Sequence, residues 1–170
     1  MATTKYIGTG AVISADFKEV KWIGKTKSGE DVIIEVYDAI NMGNIEWTMA
    51  EKSDVVQNVE FQACYTNTDT ASNSTTEPWA IITDNATTAG ASEIVLGAGT
   101  FYVGGTAIGL TRGGGAFNVE REYREINADG DRGAVKGRVV MESSRAKLSF
   151  NALTMLTKLT SLYNGIAASV

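Results

Sequence analysis

Two-residue alternation of apolar and polar side chains constrains this chain more than any other feature. Val59, Phe61, Ala63 and Tyr65 alternate with Asn58, Glu60, Gln62 and Cys64. Ile45, Trp47 and Met49 alternate with Asn44, Glu46 and Thr48, and Ala146, Leu148 and Phe150 with Arg145, Lys147 and Ser149. Successive side chains of a strand point to opposite faces, so each segment carries one buried and one wetted face. Turn signals return roughly every 8–12 residues, the spacing of an all-β sandwich or barrel. The chain holds 18 Gly and a single Pro, which fits that reading. The pattern predicts strands near 6–13, 20–27, 32–39, 44–49, 55–65, 93–96, 100–103, 106–110, 117–126 and 138–150. Ser28-Gly29 and Gly104-Gly105 suit tight hairpin turns, because glycine reaches positive φ without strain.

One segment breaks the period. Ala152, Met155, Leu156, Leu159, Leu162 and Tyr163 recur at helical spacing, with Thr154, Thr157, Lys158 and Ser161 opposite. Asn151 suits the N-cap and Asn164-Gly165 the stop. The expectation is a mainly β fold with one packed α-helix, whose apolar stripe is core. The polar stretches 66–78 and 83–92 read as loops.

Composition narrows the function. A chain of 170 residues is one domain, and a domain of this size buries roughly 70% of its unfolded surface, so it needs no staple. There is no His, which removes the commonest general base and metal ligand. The lone Cys64 has no partner for an internal disulfide, in keeping with a reducing compartment. No apolar run is long enough to span a membrane, and the start lacks the layout of a secretory leader. Residues 1–85 hold 6 Lys and 13 Asp or Glu, a net of −7, whereas 86–170 hold 9 Lys or Arg and 7 acids, a net of +2. An acidic protein of this kind does not bind nucleic acid through a phosphate-neutralising patch.

The remaining motifs resolve to structure. The run 127–131 begins like a calcium loop, but Arg132 stands where Gly is needed and Arg138 where a bidentate Glu is needed. It reads as a turn whose Asp side chains bond local backbone. Gly113-Gly114-Gly115 has no following Lys-Ser/Thr and precedes a strand, so it predicts a bulge or a close backbone approach. Glu46 and Glu60 form no recognisable catalytic pair. Two Asn-x-Thr sequons, at Asn73 and Asn85, carry no meaning without a secretory route. No enzyme activity, cofactor or metal is expected. Glu120, Arg121, Glu122, Arg124 and Glu125 alternate in sign along one strand. Exposed pairs of this kind contribute under about 1 kcal/mol each. Complementary charge rows nevertheless fix register with a chosen neighbour.

Several runs together carry a family resemblance. EIVLGAGTFYVGGTAIGLTRGGGAFNVEREYREINADGDRGAVKGR, the segment 149–164 after it, VIIEVYDAINMGNIEWTMAEKSDVVQNVEFQACY and EPWAIIT resemble the major tail (tail tube) proteins of long, flexible-tailed bacteriophages. The resemblance covers nearly the whole chain as a single domain, but in reversed order. Residues 1–85 resemble the family's usual C-terminal half and 86–170 its usual N-terminal half, with the seam near 84–91. Ala2-Thr3-Thr4 behind Met1 repeats Ala86-Thr87-Thr88. This order implies a circular permutant, an engineered one.

What the resemblance implies is a virion structural protein of tail-tube β-sandwich type. Its subunits form hexameric rings stacked into a tube, which is built in the host cytoplasm around a tape-measure protein and other tail proteins. Genomic DNA passes through the tube without specific binding. Six such subunits would carry a net charge of about −30, which repels phosphates. Strands near 44–49, 55–65, 117–126 and 138–150 would face the lumen, lined by Asn44, Glu46, Asn58, Glu60 and Gln62. Asn127, Asp129, Asp131, Arg132, Lys136 and Arg138 would secure contacts between rings, and the charges from Glu120 to Glu125 contacts between subunits. The alternatives are the tube of a contractile tail or secretion-type injection system, and a monomeric carbohydrate- or receptor-binding β-sandwich using Trp22, Trp47 and Trp79.

Overall fold

The alternation read from the sequence becomes two faces of an antiparallel sheet. A computed structural model describes residues 5–7, 12–46, 54–66, 77–83, 95–126, 128–129, 132–133, 135–153, 162–163 and 166–168. The strands are β1 (Lys5–Ile7), β2 (Lys18–Thr26), β3 (Asp31–Asn41), β4 (Val56–Gln62) and β5 (Trp79–Thr83). They continue as β6 (Val95–Val103), β7 (Thr106–Ala107), β8 (Thr111–Glu125), β9 (Val139–Leu153) and β10 (Ile166–Ala168). The main sheet runs β7-β6-β2-β3-β4-β9-β8, with β5 paired to β3, and β1 pairs β10 in a separate ribbon.

Both ends of that path are neighbours in sequence, and this rolls the sheet on itself. At the β7 end, Ile108 N–H donates to Phe101 O at 2.9 Å. Two residues later the chain lies against β9, where Leu153 N–H donates to Leu110 O at 3.1 Å. Gly109, at φ 73, makes the corner between them. A second bend lies in β3. Val32 to Val36 pair with β5 while Ile40 and Asn41 pair with β4. Between them Asp38 takes φ 45, a conformation that aspartate tolerates better than most residues. The register of β2 on β3 shifts at that point, as expected of a bulge that sharpens local twist.

Rolling brings inner faces together. Phe150 of β9 stacks on Phe101 of β6 at 4.5 Å and on Phe61 of β4 at 6.2 Å between ring centroids. Val20, Val36, Val59, Val103, Ile108, Ala146, Leu148 and Leu162 complete a continuous buried cluster. The inner face of β2 carries Trp22 over two glycines. A Cβ at Gly24 or Gly99 would lie within 2.4 Å of its indole, so only glycine leaves room for the ring. Gln57 also points inward and is fully buried, with no hydrogen-bond partner for its amide among the described residues.

Most strand expectations hold, several with moved boundaries. Of the expected strand at 6–13, Tyr6 and Ile7 lie in β1, Val12 and Ile13 lie in no strand and 8–11 lie outside the described residues, and Ser14–Asp16 form a 3-10 turn. Val95 and Leu96 of the expected strand at 93–96 belong with the expected strand at 100–103 to one strand, β6, while 93–94 lie outside the described residues. Asn44 to Glu46 lie outside any strand and 47–49 outside the described residues. Trp79 begins β5, a strand the sequence reading missed. The expected helix start is corrected: Asn151 and Ala152 pair with Asn58 and Gln57 inside β9. Ladder bonding to β4 outcompetes a helical cap there, because polar/apolar alternation continues through Asn151. Residues 154–161 lie outside the described set. Beyond them Leu162 and Tyr163 are buried, as expected of the apolar stripe. The hairpin glycines meet expectation: Gly29 has φ 95, and Gly104 and Gly105 have φ 55 and 74.

Candidate functional site

Three of the four strands assigned to a common polar surface are adjacent, in the order β4-β9-β8. Their registers align a wetted outer face. Glu60 stands opposite Ser149, which stands opposite Ala116. Gln62, Lys147 and Asn118 form the next row, and Arg145 and Glu120 the one after. Asn58 extends the face toward the segment after β3, where Asn44, Glu46, Asn58 and Glu60 border a polar concavity of about 480 Å³. Four of the five expected lining residues thus converge, although Asn44 and Glu46 reach the site from a loop and not from a strand. Gln62 lies farther along the same face.

The face is not uniformly acidic. Lys147 Nζ lies 3.3 Å from Glu60 Oε1, and Arg145 faces Glu120 across the strand pair. Sequence alternation put Lys147 and Arg145 on the wetted side. Only the register showed that they stand among the acids. Paired this way, the cations leave little net positive potential toward a polyanion.

Beside this face, β8 ends the sheet. It pairs with β9 on one side only, so its other edge offers unpaired backbone groups. The Gly113-Gly115 run behaves as expected, since the β8–β9 register shifts between Thr111 and Gly115. A Cβ at Gly115 would lie 2.5 Å from Ser149 O and 2.6 Å from the Phe101 ring, so this is a close backbone approach. Farther along, β8 and β9 project past the core as a two-stranded arm. Phe117 and Val119 are half-buried, while Tyr123 on the same face is 59% exposed, and its cross-strand neighbour Met141 is 51% exposed. Glu120, Arg121, Glu122, Arg124 and Glu125 are all exposed on this arm. Arg124 Nε pairs with Glu142 at 2.5 Å, and Ser143 Oγ donates to Glu122 at 2.7 Å. Arg121 and Glu125 have no such partner among the described residues.

Two backbone bonds mark the far end of the arm. Ile126 N–H donates to Arg138 O at 2.8 Å, and Arg138 N–H to Val135 O at 2.9 Å. Asp129, Arg132, Lys136 and Arg138 are exposed there, and Asn127 and Asp131 lie outside the described residues. Among the described residues no cluster of acids, Cys or His suits a metal.

Between β6 and β8 the rolled sheet splays into an apolar cleft of about 420 Å³, bordered by Trp22, Phe101, Phe117, Leu148, Val95 and Leu96. No local sequence pattern signals it, since it arises from two edges diverging after the corner at Gly109. On the opposite flank, Tyr65 donates its hydroxyl to Glu77. Burial and that carboxylate push the Tyr65 phenol up to about 12. Burial, with Asp38 nearby, raises the Cys64 thiol above its ordinary value, which opposes a nucleophilic role. Trp22 is 9% exposed and part of the core, so it offers no flat binding platform. No helix among the described residues is long and apolar enough to cross a membrane. No protein-family model, curated protein or solved structure matches this chain.

Proposed function

We propose that this chain is a self-assembling structural protein, the tube-forming subunit of a long-tailed bacteriophage. Its subunits stack as hexameric rings around a DNA-conducting channel and around a tape-measure protein during assembly in the host. One observation carries the reading: β4, β9 and β8 form one sheet whose outer face is polar, charge-compensated and free of large apolar side chains from Asn58 to Glu120. A channel wall for DNA needs that chemistry, because exposed cations would hold phosphates and apolar surface would make the wall adhesive. The free β8 edge and the exposed arm supply the second requirement, surfaces that neighbouring copies cover.

The permuted order fits the same reading. The seam separates Thr83 of β5 from Val95 of β6. Thr83 pairs with Val32 and Val95 with Thr26, both at the turn end of the β2–β3 hairpin. With β3 and β2 between them, these ends are roughly 14 Å apart at ordinary strand spacing. Near the present chain ends, Lys5 pairs with Ala168. Neighbouring ends at both places are what permutation requires.

Negative-stain electron microscopy across a concentration series tests the assignment. Rings or tubes with a central channel are expected, and particles that stay single at every concentration, with or without tape-measure protein, would refute it. The channel face has its own test. Glu46→Lys with Glu60→Lys should slow DNA passage through assembled tails and make it salt-dependent. An unchanged rate would remove these residues from the channel wall.

A further inference from the structure

We propose that two copies of this chain join through their β8 edges in an antiparallel, two-fold register centred on Tyr123. The exposed end of β8 reads Arg121-Glu122-Tyr123-Arg124-Glu125. Laid antiparallel against itself about Tyr123, this segment places Arg121 opposite Glu125 of the second copy and Glu122 opposite its Arg124. Symmetry repeats both pairs on the other side, and Tyr123 meets its own copy at the axis. Directly opposed strand residues interact, and opposite charges there are favourable. Shifting the register by one residue toward Glu122 brings that carboxylate against its own copy. A half-step shift sets Glu120 against Glu125 in that direction, or Glu122 against Glu125 in the other. Like charges directly opposite are destabilising, so the charge row selects the Tyr123-centred register over both neighbours.

Backbone geometry agrees with it. Ile126 N–H donates to the carbonyl of Arg138, the residue just before β9. In an antiparallel strand the N–H and C=O of alternate residues point to alternate sides. The backbone groups of Ile126 and Arg124 therefore face β9, and those of Arg121, Tyr123 and Glu125 face the open edge. A two-fold axis beside Tyr123 thus generates a hydrogen-bonded pair, with about six inter-strand bonds across Arg121, Tyr123 and Glu125. The register shift near Tyr123 does not disturb this edge, because the extra residue, Glu142, belongs to β9. Side chains are also available. Arg121 and Glu125 share the face of Tyr123 and lack partners among the described residues, so this contact gives them one. The Tyr123 ring, exposed in the single chain, is covered on the axis.

A two-fold contact closes on itself, so it differs from the repeated contact of a ring and does not depend on the tube reading. If the tube reading holds, the paired state covers the β8 edge of the free subunit.

Cysteine cross-linking in a Cys64→Ser background reads the register. Opposed Tyr123 positions have Cα atoms about 5.5 Å apart, within the roughly 4.4–6.8 Å range a disulfide spans. Tyr123→Cys should therefore oxidise to a covalent dimer. Copies of Arg121 lie roughly 14 Å from each other in this register. Arg121→Cys and Glu125→Cys should each stay single alone and cross-link when mixed. No dimer from Tyr123→Cys, or equal cross-linking at all three positions alone, overturns the proposal. Sedimentation of chains with Tyr123 intact is the second measurement. Arg121→Glu should raise the concentration of half-dimerisation at least tenfold, and Arg121→Glu with Glu125→Arg should restore it. An unmoved midpoint in the single reversal also overturns it. Tubes in micrographs without the Tyr123→Cys cross-link sink the pairing and leave the tube reading standing. A cross-linked dimer that never yields rings or tubes does the reverse.

Discussion

Phe150 and Gly115 show how much single positions decide here. Phe150 stacks between Phe61 and Phe101 and so ties β9 to β4 beside it and to β6 across the core. The stack is possible because Gly115 on β8 has no side chain to meet Phe101 or Ser149. Gly115→Val should therefore destabilise the domain by about 1–3 kcal/mol through overpacking, read as a lower urea midpoint with an unchanged slope. A variant as stable as the parent would mean that β8 does not approach so closely. Tyr65 makes a prediction about pH. Its phenol is raised from 10.0 to about 12 by burial and by its bond to Glu77. A group whose folded value is raised stabilises fully below its unfolded value and loses that contribution as pH climbs through the folded one. The Tyr65 contribution should hold up to pH about 10 and be lost between there and about 12, so Tyr65→Phe should show a shallower fall over that window. Tyr37, through its bond to Glu35, and Tyr163, through burial, shift the same way. The meaningful quantity is thus the difference in slope between variant and parent, and equal slopes would contradict the Tyr65 assignment.

Among elements, the β8–β9 pair has two regimes. Up to Val119 and Ala146 its inner face is core, and beyond them the same face continues into solvent with Tyr123, Met141 and Val139. A two-stranded hairpin without cover is marginal in water, so the arm's order draws on its continuity with the core strands and on any partner it meets. Deleting 128–132 shortens only the exposed end of the arm. The variant should keep its far-UV spectrum and its melting cooperativity while losing ring or tube formation in micrographs. Normal tubes would exclude that end from assembly, and a collapsed spectrum would show that the turn organises the core strands.

At the scale of the whole molecule, a permuted order predicts that the two halves can be exchanged. The seam joins β5 to β6 at one end of the β2–β3 hairpin, and β1 pairs with β10 near the chain ends. A chain recut to run 86–170 and then 1–85, with the present ends linked, should fold to the same sheet. The check is matching circular dichroism and an unfolding free energy within about 2 kcal/mol of the parent, an allowance for changed loop closure. Loss of the fold would mean that the present ends are bonded to the core more tightly than their pairing implies.

Alternation alone determined that the chain is mainly β, that Val59, Phe61, Ala146, Leu148 and Phe150 are buried, and that Asn58, Glu60, Gln62, Arg145 and Lys147 are wetted. These are local properties, because strand faces follow directly from a period of two. The close approach at Gly115 was legible for a similar reason, since a glycine run inside a strand has few other uses. Only the tertiary structure decided which strands are neighbours, and with them the Glu60–Lys147 pair, the cleft between β6 and β8 and the open edge beside Tyr123. It also decided against a helix start at Asn151, whose pairing partner Asn58 stands far away in sequence. Pairing across such distances depends on how the whole sheet closes, at Asp38 and at Gly109, and no periodicity within a single strand encodes that.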